Sequence, residues 1–124
     1  MNMFKITSEI RSILINDENI SQAIGKKIFP ILAPEGTDGD FIVYQRDGFK
    51  EDRTKFGVAN QSPLIFVSAV SADYGNSINL ASIIYEALSG RYKDPDMEIQ
   101  LEDSTEDYIE GKYIQVLQFI IKQN

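Results

Sequence analysis

The apolar positions of this chain alternate between two periods. From Met3 to Asn16, the residues Met3, Ile6, Ile10, Ile13 and Leu14 recur at helical spacing, while Lys5, Glu9, Arg11 and Ser12 take the other side; this predicts an amphipathic helix. Asp17 and Asn19 break it, and Ile20 to Ile24 read as a further short turn ending at Gly25. Ile28 to Leu32 is a short apolar run containing Pro30, closed by Pro34-Glu35-Gly36. A proline has no N–H to give a central ladder, so this run is an edge strand or an extended connector.

Phe41 to Arg46 has strand character and is followed by Asp47-Gly48. Phe49 to Ser62 is charged and polar, and reads as a strand continuation fraying into a long mobile loop. Leu64 to Ala72 forms a second strand, with Pro63 suited to its first position. A helix from Tyr74 to Ser89 follows, with Asp73 as its N-cap and Gly90 at the left-handed C-terminal position. Ile78, Ala81, Ile84, Tyr85 and Leu88 form its expected apolar stripe, widened by Leu80, Ile83 and Ala87. Met97, Ile99 and Leu101 then alternate with Glu98, Gln100 and Glu102, and Asp103 to Glu110 read as the turn before Gly111.

Tyr113 to Lys122 breaks the one-sided pattern. Tyr113, Leu117, Phe119 and Ile121 share one face, and Ile114, Val116 and Ile120 share the other. Leu64 to Val70 is likewise apolar on both faces. Strands of this kind need cover on both sides. Two helices can cover one face of a small sheet, so the second face either rolls onto itself by curvature or is closed by another subunit, with Ile114, Val116 and Ile120 at that interface. The expected architecture is α+β in a single domain, residues 1–124: two layers, with a mixed, mostly antiparallel sheet of four to five strands and two helices packed on one face.

Composition narrows the chemistry. The chain has 124 residues, no cysteine and no histidine. Disulfides, a zinc knuckle and a thiol nucleophile are excluded, as are the commonest metal ligand and general base. No histidine is present to activate a serine, and the sequence contains no GxSxG, GxxxxGK[ST] or GxGxxG motif. The turn acids Asp38, Asp40, Glu106 and Asp107 suit local backbone hydrogen bonding better than glycoside hydrolysis. No enzyme activity and no cofactor are expected.

The net charge of −7 is concentrated in one stretch. Asp94, Asp96, Glu98, Glu102, Asp103, Glu106, Asp107 and Glu110 lie within residues 94–110 without a lysine or arginine among them. Asp94, Asp96 and Glu98 match the first three ligand positions of an EF-hand loop. Ile99 then stands where its glycine is needed, and Thr105 where its bidentate glutamate is needed, so calcium is not expected. Specific nucleic-acid binding would require a basic face that this chain lacks. No apolar run approaches membrane-spanning length, and the N-terminal pattern is too charged for a signal-peptide core; a cytoplasmic protein without a membrane partner is expected.

The segment 49–60 sets Lys50, Arg53 and Lys55 against Glu51 and Asp52, with Phe49 and Phe56 as apolar anchors. It reads equally as a solvated hairpin tip or as a partner-binding arm that orders on contact.

The order of these features, and above all the P-x-x-A-P-x-G connector (Pro30, Ala33, Pro34, Gly36) leading into F-I-V-Y-Q and the passage through Ala72-Asp73-Tyr74 into a helix ending Ala87-Leu88-Ser89-Gly90, resembles the small tail-completion (tail-to-head joining) proteins of long-tailed phages and prophages. The likeness covers nearly the whole chain. It implies a non-catalytic virion protein, present in the bacterial host cytoplasm during assembly and then at the head–tail junction. There it would form a homo-oligomeric ring between tail-tube and head-connector proteins. Two site expectations follow from that resemblance. Glu98, Glu102, Asp103 and Glu106 would line the lumen, and the arm with Phe49, Lys50, Arg53, Lys55 and Phe56 would contact the adjoining ring. A cytoplasmic protein-binding adaptor or regulatory module without catalysis is the competing reading.

Overall fold

A computed structural model describes residues 3–54 and 57–123, with side chains outside 49–61. A 3-10 turn (Met3–Lys5) leads into α1 (Ile6–Asn16) and α2 (Glu18–Ile24). Strands β1 (Ile28–Pro30), β2 (Phe41–Thr54) and β3 (Gly57–Ser71) follow, then α3 (Tyr74–Leu88), β4 (Gly90–Lys93), β5 (Asp96–Ile109) and β6 (Lys112–Gln123). The six strands form one sheet in the order β1-β2-β3-β6-β5-β4. Only the β1–β2 pair is parallel.

The α+β class and the mostly antiparallel sheet agree with the sequence reading; the element count does not. Among the described residues, six strands and three helices replace four to five strands and two helices. Ile20 to Ile24 belongs to a helix because Asp17 serves twice: its N–H closes α1 onto the Leu14 carbonyl, and its carboxylate accepts from Ile20 N–H at 3.0 Å as the N-cap of α2. β4 is too short for any alternation to mark it. Pro30 sits in the edge strand β1, where a missing N–H costs nothing.

Two longer corrections concern β2 and β5. Residues 49–54 and 57–62 are strand, not loop: β2 and β3 stay paired from Phe41↔Val70 out to Thr54↔Gly57, an arm that continues past the point where β3 leaves β6 at Leu64↔Ile120. Asp103 to Glu110 is not a turn either, since β5 runs through the acids to Ile109. Acidic residues disfavour strands locally, but here β6 offers a complete ladder, and the outward side chains stay in water.

The core lies between the helices and one sheet face. Ile6, Ile10 and Leu14 from α1, Ile20 and Ile24 from α2, and Leu80, Ile84 and Leu88 from α3 pack on Ile42, Ile65, Val67, Ile99, Leu117, Phe119 and Ile121. The buried stripe of α3 is therefore rotated from the expected one. Ser77, Leu80, Ile84 and Leu88 face inward, while Ile78 and Tyr85 are exposed. Asp73 caps this helix by accepting from Asn76 N–H at 2.8 Å, as its position suggested. At the other end Ser89 is the C-cap and Gly90, at φ +140°, opens β4 instead.

Candidate assembly surfaces

Three surfaces could carry function: the sheet face away from the helices, the acidic strand β5, and the β2–β3 arm.

The open face is mostly apolar through the register, with Gln45, Ser68 and Gln118 set among its apolar residues. Phe41 pairs with Val70 and Val70 with Ile114, and the neighbouring rows bring Val43, Leu64, Phe66, Val116 and Ile120 to the same side. Val70 is buried, and the others are half-buried, shielded chiefly by one another. All buried apolar helix residues belong to the core of the other face. Ile114, Val116 and Ile120 thus occupy one continuous surface, as their spacing implied. At one end of it, the connector at 31–37 and the β5–β6 turn enclose a groove of about 420 Å³ lined by Leu32, Pro34, Phe41, Val43, Ile109 and Ile114. Ile31 and Leu32 on that rim are 70% and 79% exposed. Ile31 has φ +65°, a region a β-branched side chain rarely enters.

The acids of β5 do not share one face. A bulge between Leu101 and Asp103 inserts Glu102 and reverses which side chains face which way. Glu98 pairs opposite Lys122 and Asp103 opposite Gln118, both on the open face, whereas Glu106 lies opposite Gln115 on the helix face.

There Glu106 is engaged. Its Oε2 accepts from the Tyr74 hydroxyl at 2.7 Å and from Gln115 Nε2 at 2.8 Å. Gln115 also donates to Ser77 Oγ at 3.2 Å, and the Ser77 hydroxyl donates to the Tyr74 carbonyl at 2.7 Å. The two donors hold the Glu106 carboxyl below its ordinary pKa, the Tyr74 hydroxyl contributing most. The Tyr74 phenol is pushed up, first by that hydrogen bond and then by burial and the negative charge. Tyr113 stacks edge-on against Tyr74 at 5.4 Å and packs tilted on Tyr108 at 4.8 Å. This clamp joins α3, β5 and β6. Sequence reasoning passed over Tyr74, Ser77 and Gln115; a polar residue amid the apolar run of β6 was the one available signal.

The arm expectation is placed in part. Phe49, Lys50 and Arg53 stand on β2, with their side chains outside the described residues, and Lys55 and Phe56 lie outside the described residues altogether. Among the described residues no group of three or more potential ligands could hold a metal ion, and no helix is long and apolar enough to cross a membrane.

A sheet with helices on one face, an open apolar face and a long hairpin arm invites comparison with assembly proteins. The fold is shared with a virion protein. The chain superposes over 92% of its length on 90% of a chain from the virion of a native gene transfer agent particle, with a TM-score of 0.78 and 13% sequence identity. No family model matches the chain, and no curated protein matches it in sequence. The likeness is one of fold, carried almost end to end.

Proposed function

We propose that this chain is a structural protein of a phage-type virion. It acts at the head–tail junction as a homo-oligomeric ring that completes the tail tube and joins it to the head connector. The observation that carries the reading is the open sheet face: a row of half-buried apolar residues, including Ile114, Val116 and Ile120, on a fold shared almost end to end with a virion chain. A surface of this kind is stable in water only at a cost, and an adjoining subunit of the assembly removes it.

The other surfaces fit the same role. Glu102 and Asp103 are exposed and Glu98 is half-buried on β5, and a negative lining along this strand would let DNA pass without gripping it. Glu106 belongs to the clamp and keeps that strand in place. The arm projects beyond the packed part of the sheet, within reach of a neighbour.

Removing the gene from the phage or prophage that carries it, and examining the products by electron microscopy, tests the reading. The expected result is filled heads and tails that remain unjoined, with joining restored by the intact chain. Particles that join and deliver DNA normally without it would overturn the proposal.

A further inference from the structure

The helices leave part of their own side of the sheet uncovered. α3 packs over β3 and β6 and reaches β5 less, while α1 and α2 lie along its other flank. At about 100° per residue, Tyr74, Ile78 and Tyr85 fall within roughly 40° of one another, on the flank of α3 turned toward β5. Ile83 and Ala87, on the opposite flank, are half-buried against the core, and Ile83 shares a cavity wall with Ile24 of α2. The floor beside the β5 flank is made by Leu101, Ser104, Glu106 and Tyr108, which pair with Phe119, Leu117, Gln115 and Tyr113 on the helix side of β6. Tyr74 meets Glu106 at one end of this slot, and Tyr85 and Leu101 line one groove at the other. Tyr74, Ile78, Tyr85, Leu101 and Tyr108 are each between 37% and 58% exposed, so α3 carries a wider apolar stripe than the core uses.

Width, charge and backbone bonding narrow what fits. Packed helices lie about 8–10 Å apart, close to two strand spacings, so a helix beside α3 would lie over β5. Neither α3 nor β5 contains a lysine or arginine. The cations of the adjoining strands, Arg91, Lys93, Lys112 and Lys122, all stand at register positions of the open face. Glu86, Glu102 and Glu106 therefore border the slot without a counter-charge on this side. A second copy's slot laid against it would set acid against acid. A strand along the β5 edge meets a different obstacle. The N–H groups of Ser104 and Tyr108 are already taken by the carboxylates of Asp103 and Asp107, at 2.9 and 2.8 Å.

We propose that the slot between α3 and β5 receives an amphipathic helix of another protein, apolar toward Tyr85 and Leu101 and basic toward the acids. From Leu101 to Tyr108 the slot is roughly 20 Å long, which takes a helix of about fourteen residues. Exposed tyrosines beside apolar side chains supply anchors for such a contact. The slot lies on the opposite side of the sheet from Ile114, Val116 and Ile120, so its occupancy does not depend on the ring.

Amide NMR of the intact chain tests this with three synthetic peptides of about fourteen residues. The first has leucine at three- and four-residue spacing and lysine elsewhere. The second replaces lysine with glutamate, and the third keeps the lysines but carries a central proline, which breaks a helix. The first is expected to shift Ile78, Tyr85, Leu101 and Tyr108 selectively, and the second to leave them unmoved. The third should bind at least about tenfold more weakly, as should the first peptide to the double variant Ile78→Ser with Tyr85→Ser. Leu101→Ser serves if that variant fails to fold. Ile109→Ser, similarly exposed but on the open face, should leave the affinity unchanged. Equal binding of the first and third peptides overturns the helix as occupant, in favour of an extended segment. Shifts spread over every acidic stretch overturn the slot in favour of unspecific charge attraction. No binding of the first peptide below about 1 mM overturns the proposal outright. Dimers in sedimentation that the double variant abolishes would give the slot to a second copy instead.

Discussion

The Tyr74 hydroxyl and the Glu106 carboxylate meet at 2.7 Å although 32 residues separate them. This bond ties the first turn of α3 to an acidic strand that little else restrains on its outer side. Gln115, buried and bonded to the same carboxylate oxygen, makes the arrangement a three-element clamp.

The clamp has a pH window. Glu106 has a lowered pKa, so its contribution is present above the ordinary glutamate range and is lost as pH falls through the depressed value. Tyr74 has a raised pKa, so its contribution is present below the ordinary tyrosine range and is lost as pH rises through the raised value. Tyr74→Phe and Glu106→Gln should each lower the melting temperature at neutral pH, and the double variant should lose less than the sum. A melting profile whose acid limb is unchanged in Glu106→Gln would contradict this.

Adjacent residues of β6 should separate folding from assembly. Phe119 is fully buried in the core, and Phe119→Ala should cost about 3–5 kcal/mol in denaturant unfolding. Ile120 lies half-buried on the open face, and Ile120→Ala should cost about 1–2 kcal/mol. Sedimentation of Ile120→Asp should nevertheless show the larger loss of assembly, provided circular dichroism shows it folded.

Removing residues 50–61 and closing the arm with a two-residue turn should leave the melting temperature almost unchanged. Beyond Leu64↔Ile120 the arm, among the described residues, pairs only with itself. Head–tail joining should fail in the same variant. A large loss of stability would mean the arm belongs to the core.

Ile31 holds a left-handed backbone conformation while 70% exposed, so little packing offsets its strain. Ile31→Asn should stabilise the fold by about 1 kcal/mol at most, read as a higher denaturant midpoint, since asparagine tolerates that region better.

Reversing the charges of Glu98 and Glu102 tests the lumen reading without touching the clamp. The fold should persist, and DNA delivery by assembled particles should fall. Normal delivery would remove these acids from the channel.

Much of the fold was legible because burial imposes a period. The alternation of Leu117, Phe119 and Ile121 against Val116 and Ile120 marked β6 as apolar on both faces, and Asp73 announced the start of α3. The extent of β5 was not legible. Asp103 to Glu110 read as a turn by local propensity, and only pairing with β6 makes them a strand. That Glu106 stands on the opposite face from Glu98 and Asp103 was hidden for a related reason. Counting residues assumes an unbroken register, and the bulge at Glu102 breaks it.

By itself, the sequence determined which segments are amphipathic, which are apolar on both sides, where charge accumulates, and that neither histidine nor cysteine chemistry is available. These follow from composition and short-range periodicity, which are properties of neighbouring residues. Tertiary structure alone decided that residues 49–54 and 57–62 are paired strands, that Glu106 is tied to Tyr74 and Gln115, and that among the described residues half of each sheet edge lies uncovered. Those features depend on which strands lie side by side and in what register, and contacts between residues far apart in the chain set both.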